Sequence, residues 1–177
     1  FIRKELPWER IKECDENNEV PMDIVKKCAD MGLTSITLPE SIGGGGMGQV
    51  TNSLVLEEIG YQDVGFATTI GACGLAFEPI DLFGTQAQKE LFGKFIVDGG
   101  LAAFALTEPD AGSDVGNLRT TAVKDGDEYV INGTKCYITN GANCAVYAVF
   151  AVTDPNAGAR GLSCFIVERS CAGITCG

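Results

Sequence analysis

Apolar residues recur at helical spacing through the first hundred positions; beyond residue 100, β-branched and aromatic residues alternate with polar ones. The early pattern predicts a helix over Phe1 to Asn17 that bends or begins at Pro7. Pro21 suits a first helical turn. Met22 to Met31 follows, with Ile24, Val25 and Cys28 on one face and Gly32 closing the helix. Leu33 to Leu38 reads as a short extended run, and residues 43–48 as a glycine-rich loop. Val50 to Ile59 is predicted helical, with Val50, Leu54, Val55 and Ile59 on its apolar face. Phe66 to Phe83 is apolar on most sides and interrupted by Pro79. Thr85 is placed to cap a further helix that buries Leu91, Phe92, Phe95 and Ile96.

The later pattern predicts strands over Leu101 to Leu106, Leu118 to Lys124, Glu128 to Ile131, Lys135 to Thr139, Ala145 to Thr153 and Leu162 to Glu168. Asp125-Gly126 and Asn132-Gly133 are turn signals between them. Strands in succession with short turns imply an antiparallel sheet. The expected fold class is α+β: an N-terminal helical domain over residues 1–100, then an antiparallel β-barrel or sandwich over 101–177.

Composition narrows the function. Hydrophobic residues make up 45% and charged residues 21%, an ordinary globular balance. No apolar run approaches the roughly 20 residues of a membrane span, so none is predicted. A formal charge of −11 repels a phosphate backbone and argues against nucleic acid. It also repels any phosphate-bearing ligand at long range, so such a ligand needs local donors. There are eight cysteines and no histidine. Cys28, Cys73, Cys136, Cys144 and Cys164 lie in apolar runs and read as small buried hydrophobes in a reducing compartment. No Cys-x-x-Cys pair occurs, and no metal site is predicted. The chain begins without Met and ends directly after a strand-like run, the pattern of a piece of a longer protein.

Gly43, Gly45 and Gly48 fit G-x-G-x-x-G between an extended run and a helix, the formal outline of a nicotinamide dinucleotide site. Pro39 to Ile42 separate the run from the first glycine, and no ribose-binding acid on a second parallel strand follows. A turn is the better reading.

The segment Leu106-Thr107-Glu108-Pro109-Asp110-Ala111-Gly112-Ser113-Asp114 offers hydroxyls, a glycine and backbone N–H groups after a strand. By composition alone it is an ordinary polar loop. The full string resembles the flavin-binding signature of the acyl-CoA dehydrogenase family. Asn132-Gly133-Thr134-Lys135-Cys136-Tyr137-Ile138-Thr139-Asn140-Gly141 resembles the family's second signature, at the expected distance. Weaker likeness covers nearly the whole chain, including Met31-Gly32-Leu33, Leu38-Pro39-Glu40 and Leu82-Phe83-Gly84-Thr85.

The resemblance implies an FAD-dependent α,β-dehydrogenation of an acyl-CoA to the 2-enoyl-CoA, with electrons passed to an electron-transferring flavoprotein. It places Phe104 to Ser113 along the FAD. Leu106 and Thr107 would face the flavin pyrimidine, Gly112 and Ser113 the pyrophosphate, and Ser113 also the substrate. Tyr137, Ile138 and Thr139 belong to the same cofactor site: Tyr137 would stack on the ring, where the family more commonly has Trp, and Thr139 would donate to flavin N5. Thr68, Gly71 and Leu75 would line the acyl pocket. Glutaryl-specific relatives carry Arg where Phe66 stands, so a plain monocarboxylic acyl group is expected. Glu108 reads as structural. The catalytic base is expected in a C-terminal helical domain outside this chain, so no catalytic residue is assigned here. The family also implies a homodimer or homotetramer, cytoplasmic or, in a eukaryote, in the mitochondrial matrix. Rival readings are an oxidase, monooxygenase or desulfinase on the same flavin site, and a non-catalytic acidic binding module.

Overall fold

A computed structural model describes residues 1–177. Pro7 separates two helices, α1 (Ile2–Glu5) and α2 (Trp8–Asn17), and sits at the cap of the second. A residue without an N–H loses nothing at a helix start. α3 (Met22–Asp30) buries Ile24, Val25 and Cys28, the face the spacing predicts.

Residues 33–38 are a series of turns and not the expected extended run. The carbonyls of Ser35, Ile36 and Leu38 accept bonds from the N–H groups of Gly45, Met47 and Gly46, each at 2.9 Å. Gly44 is what permits this approach, since a Cβ there would lie 2.1 Å from the Leu38 oxygen. The glycines therefore serve a contact within the chain, no strand precedes them, and the dinucleotide outline lacks its scaffold.

α4 (Gln49–Gln62) fully buries only Ile59; Val50 and Leu54, expected on its inner face, are exposed. α5 (Val64–Phe83) starts at Asp63, whose carboxylate accepts from the Phe66 N–H, and runs unbroken through Pro79. The missing N–H of Pro79 frees the carbonyl of Leu75, a half-exposed residue where water can serve it. At 20 residues α5 is long and apolar enough to cross a membrane by length and composition, longer than the sequence pattern suggests. Here it is a core helix burying nine residues, among them Phe66, Ile70, Cys73 and Phe77. α6 (Gln86–Val97) opens with a capping box between Thr85 and Gln88. Phe92 and Ile96 are buried as expected, Phe95 is half-buried and Leu91 is exposed.

Five strands follow: β1 (Leu101–Ala105), β2 (Thr121–Asp125), β3 (Glu128–Asn132), β4 (Cys144–Val152) and β5 (Leu162–Glu168). The sheet is open and mixed, which corrects the expected antiparallel barrel or sandwich. The local pairs β2–β3 and β4–β5 are antiparallel hairpins. β1 lies parallel to β4, with Ala105 opposite Val149, and β2 meets β4 in parallel at Thr121 and Val152. Because β5 occupies the other edge, β1 and then β2 run along one edge of β4. β1 is a continuous apolar run, as parallel buried strands are, and its alanines let α5 press close to the sheet. Lys135 to Thr139, read as a strand from β propensity, is irregular. One core of 22 buried residues joins Ile24, Phe66, Phe77 and Phe92 to Leu101, Val146 and Ala148 across the helix–sheet junction.

All eight cysteines are free thiols. Cys14, Cys28, Cys73 and Cys144 are buried, while Cys136 and Cys164 are half-buried. Burial pushes Cys28, Cys73, Cys144 and Cys164 up to about 11, so each is an inert apolar filler at neutral pH.

Candidate functional site

Two irregular stretches leave the sheet and meet beside α5. The first, residues 106–120, departs from the end of β1 and returns at the start of β2, both on one edge of β4. Glu108 closes its neck. The carboxylate accepts from the N–H of Arg119 at 2.7 Å and of Thr120 at 3.1 Å. Glu108 and Ala111 also exchange backbone bonds, at 3.0 and 3.1 Å, which makes the turn at Pro109 tight.

The second stretch, residues 133–143, runs from β3 into β4. Lys135 Nζ donates to Glu108 Oε1 at 2.7 Å and to the Leu106 carbonyl at 2.9 Å. The Cys136 N–H donates to the Thr107 carbonyl at 3.0 Å. The side chains of Lys135 and Glu108 are only 11% and 4% exposed. Burial pushes the Glu108 carboxyl up, but the donors of Lys135, Thr120 and Arg119 outweigh it and hold it down to about 2. Burial also lowers Lys135, more than the Glu108 carboxylate raises it.

Asn140 ties the second stretch to the helices. Its backbone is left-handed, at φ +65°, and its side-chain amide donates to the carbonyls of Thr69 at 2.9 Å and Ala102 at 3.1 Å. Tyr137 is also left-handed, at φ +55°, and its ring is 93% exposed. A large aromatic residue in that backbone region is strained, and such strain clusters at binding sites.

Between these stretches and α4–α5 lies a cavity of about 600 Å³. Leu56 and Gly60 line it from α4, and Val64, Ala67, Thr68, Gly71, Ala72 and Leu75 from α5. Phe104, Thr107, Tyr137 and Thr139 form the opposite wall. No lining residue carries a charge. Gly71 leaves room against Leu56; a Cβ there would stand 3.0 Å from the leucine's Cδ1. The N–H groups of Leu106, Thr107, Thr139, Gly112 and Ser113 meet no acceptor within the protein.

Seven of the residues the sequence nominates thus share one cavity: Thr68, Gly71, Leu75, Phe104, Thr107, Tyr137 and Thr139. Others stand elsewhere. Ile138 packs its side chain on the hydrophobic core, and Leu106 is off the lining with its carbonyl held by Lys135. Gly112 and Ser113 are exposed on the first loop, outside the cavity. Gly112 has no left-handed backbone, contrary to the special conformation its type suggests; a Cβ there would meet open space. Phe66 is buried in the core, so the uncharged lining owes nothing to it. The sequence gives no role to Leu56, Gly60, Lys135 or Asn140. Their only signal is position, at helical spacing in α4 or inside the second signature.

A helix-bounded cavity faced by loops with unspent N–H donors has room and donors for a large, hydrogen-bonding ligand. The chain belongs to the acyl-CoA dehydrogenase family: residues 1–124 match the acyl-CoA dehydrogenase N-terminal domain, and residues 103–177 match the middle domain. Its relatives are oxidoreductases of that kind. It is 40% identical over 169 residues to acryloyl-CoA reductase (NADH) of Anaerotignum propionicum, covering 94% of this chain and 43% of the relative. It is 39% identical over 179 residues to a subunit of the caffeyl-CoA reductase–Etf complex of Acetobacterium woodii, covering 100% of this chain and 47% of the relative. The chain therefore spans less than half the length of these relatives. Among solved structures, butyryl-CoA dehydrogenase of Megasphaera elsdenii superposes with a TM-score of 0.88 at 35% identity, over 97% of this chain and 46% of that one. An acyl-CoA dehydrogenase of Bacillus anthracis complexed with FAD does so with a TM-score of 0.84 at 34% identity, over 98% of this chain and 30% of that one.

Proposed function

We propose that this chain forms the cofactor and acyl site of an FAD-dependent enzyme that interconverts an acyl-CoA and its 2-enoyl-CoA. The observation that carries this reading is the shared cavity. Residues nominated for the flavin and residues nominated for the acyl chain face each other across about 600 Å³. The donor set suits FAD: free N–H groups at Leu106 and Thr107, a bare aromatic ring at Tyr137 and open backbone at Gly112 and Ser113. The bound flavin would supply the two-electron chemistry.

The protein's own residues then bind and orient. Leu106 and Thr107 would donate to the pyrimidine side of a bound flavin, the side whose negative charge such donors stabilise. Tyr137 would cover one ring face, and Thr139 would lie at the ring edge. Gly112 and Ser113 would hold the pyrophosphate. Thr68, Gly71 and Leu75, with Leu56, enclose an uncharged acyl chain and keep water off it; a distal carboxylate would find no cation among the lining residues. No carboxylate lines the cavity, so a carboxylate base that moves the α proton would come from outside this lining. A relative in an Etf complex supports an electron-transferring flavoprotein as redox partner. The proposal includes a homodimer or homotetramer in a reducing compartment, consistent with eight free thiols.

The test is the absorption spectrum of the purified full-length protein, before and after short- and medium-chain acyl-CoA esters. A flavin band that one ester bleaches is the expected outcome. A band that no ester bleaches supports the oxidase or monooxygenase readings. A protein that stays colourless after FAD is added sinks the cofactor assignment.

A further inference from the structure

We propose that the buried Lys135–Glu108 ion pair is the positioning device of the flavin site, aiming the N–H donor of Thr107 while keeping the ground beneath it electrically neutral. This rests on the FAD reading above. Peptide planarity carries the first half. The Leu106 carbonyl is fixed on Lys135 Nζ at 2.9 Å, so the Thr107 N–H, trans to it in the same peptide plane, points away from Lys135. No protein group meets it there. The next peptide is fixed in the same manner. The Thr107 carbonyl accepts from Cys136, and the Glu108 N–H is spent on Ala111. Thr107 therefore presents its free backbone N–H in a single direction, and Lys135 sets that direction.

Charge carries the second half. Lys135 alone would place a buried cation one residue from a cavity-lining Thr107 on one side and two from Tyr137 on the other. Glu108, at 2.7 Å, cancels it, and the N–H groups of Arg119 and Thr120 hold the carboxylate in place. Charges this deeply buried act on a neighbouring redox group with little screening. Removing one partner at a time must push the flavin in opposite directions, and a merely structural pair would not do that.

The experiment uses the full-length protein as wild type, Lys135→Met, Glu108→Gln, Lys135→Arg and the double variant Lys135→Met/Glu108→Gln. It reads the dissociation constant for FAD, the midpoint potential of the bound flavin and the melting temperature. Lys135→Met, which strands the carboxylate, is expected to lower the potential. Glu108→Gln, which strands the cation, is expected to raise it. The double variant returns the potential towards wild type yet binds FAD about tenfold more weakly, the equivalent of one lost orienting hydrogen bond. Lys135→Arg restores part of the affinity. If both single variants fail to fold, the double variant decides, because it strands no charge. Wild-type FAD affinity in the double variant, or shifts of one sign in both single variants, overturns the inference. A wild-type protein that binds no FAD overturns the cofactor reading and this inference with it.

Discussion

The two walls of the cavity are built by opposite means. The helical wall is shaped by omission: Gly60, Ala67, Gly71 and Ala72 leave space, and Leu56 and Leu75 border it without a polar contact to fix them. The loop wall is shaped by attachment. Glu108, Lys135 and Asn140 tie irregular backbone to the residues just before β2, to the second loop, to β1 and to α5 through bonds of 2.7 to 3.1 Å. A wall made of absent side chains can be re-cut at little cost to stability. A wall made of buried polar bonds cannot lose one without leaving partners unsatisfied.

The sharpest break in that comparison is Asn140→Ala. It removes the two side-chain bonds to the carbonyls of Thr69 and Ala102 and puts alanine at φ +65°. A loss of about 3–4 kcal/mol is expected in urea unfolding. A loss under 1 kcal/mol would show that the loop wall does not depend on this latch.

Glu108 gives the next largest effect, and it is pH-dependent. Its carboxyl lies near 2 in the folded chain, against an ordinary 4.5. Its stabilisation is therefore complete above about pH 4.5 and is lost as pH falls through 2, by up to about 3 kcal/mol. Melting temperatures of wild type and Glu108→Gln should converge as the pH is lowered across that window. Curves that stay parallel would contradict the assignment.

On the helical wall, Leu56→Ala removes a half-buried side chain and should cost only about 1–2 kcal/mol while enlarging the cavity. The full-length protein is then expected to prefer longer acyl-CoA esters. An unchanged ester preference would free Leu56 of that role. The smallest effect falls on Tyr137, where Asn tolerates the left-handed backbone better. Tyr137→Asn should leave the flavin-free protein as stable or up to about 1 kcal/mol more stable, yet weaken FAD binding. A destabilised variant would mean that the ring packs on something even without cofactor.

Legibility in the sequence followed the range of the interaction. The Thr85 cap, the buried face of α3 and the β2–β3 hairpin were readable because each is decided within a few residues. Gly126, at φ +60°, supplies the turn that the Asp125-Gly126 signal announces. The parallel β1–β4 pair was not readable, since nothing near Leu101 encodes a partner at Cys144. Pro79 misled in the other direction: its local penalty is real, but a core on one side and an exposed Leu75 on the other absorb it. Lys135 to Thr139 read as a strand because Tyr, Ile and Thr favour one. The Asn140 latch and the Lys135 clamp override that preference and turn Tyr137 outwards. Resemblance alone nominated the seven cavity residues, of which Thr107, Tyr137 and Thr139 lie inside the two signatures. Their composition could not say that Ile138 turns to the core while its neighbours do not.

The placement of β4 has a consequence for synthesis. β1 emerges from the ribosome as an apolar strand whose hydrogen-bonding edge has no partner until β4 has been made. Until then Leu101 to Ala105 can lean on α5 but offers an open edge to any other nascent chain. Helices α1 to α6 can settle early from local contacts. The sheet must wait for a distant segment, so the cavity-facing loops between β1 and β4 are ordered late, when that segment docks. A slow codon run or a stall before Cys144 would prolong the exposed state, and aggregation during expression should begin there.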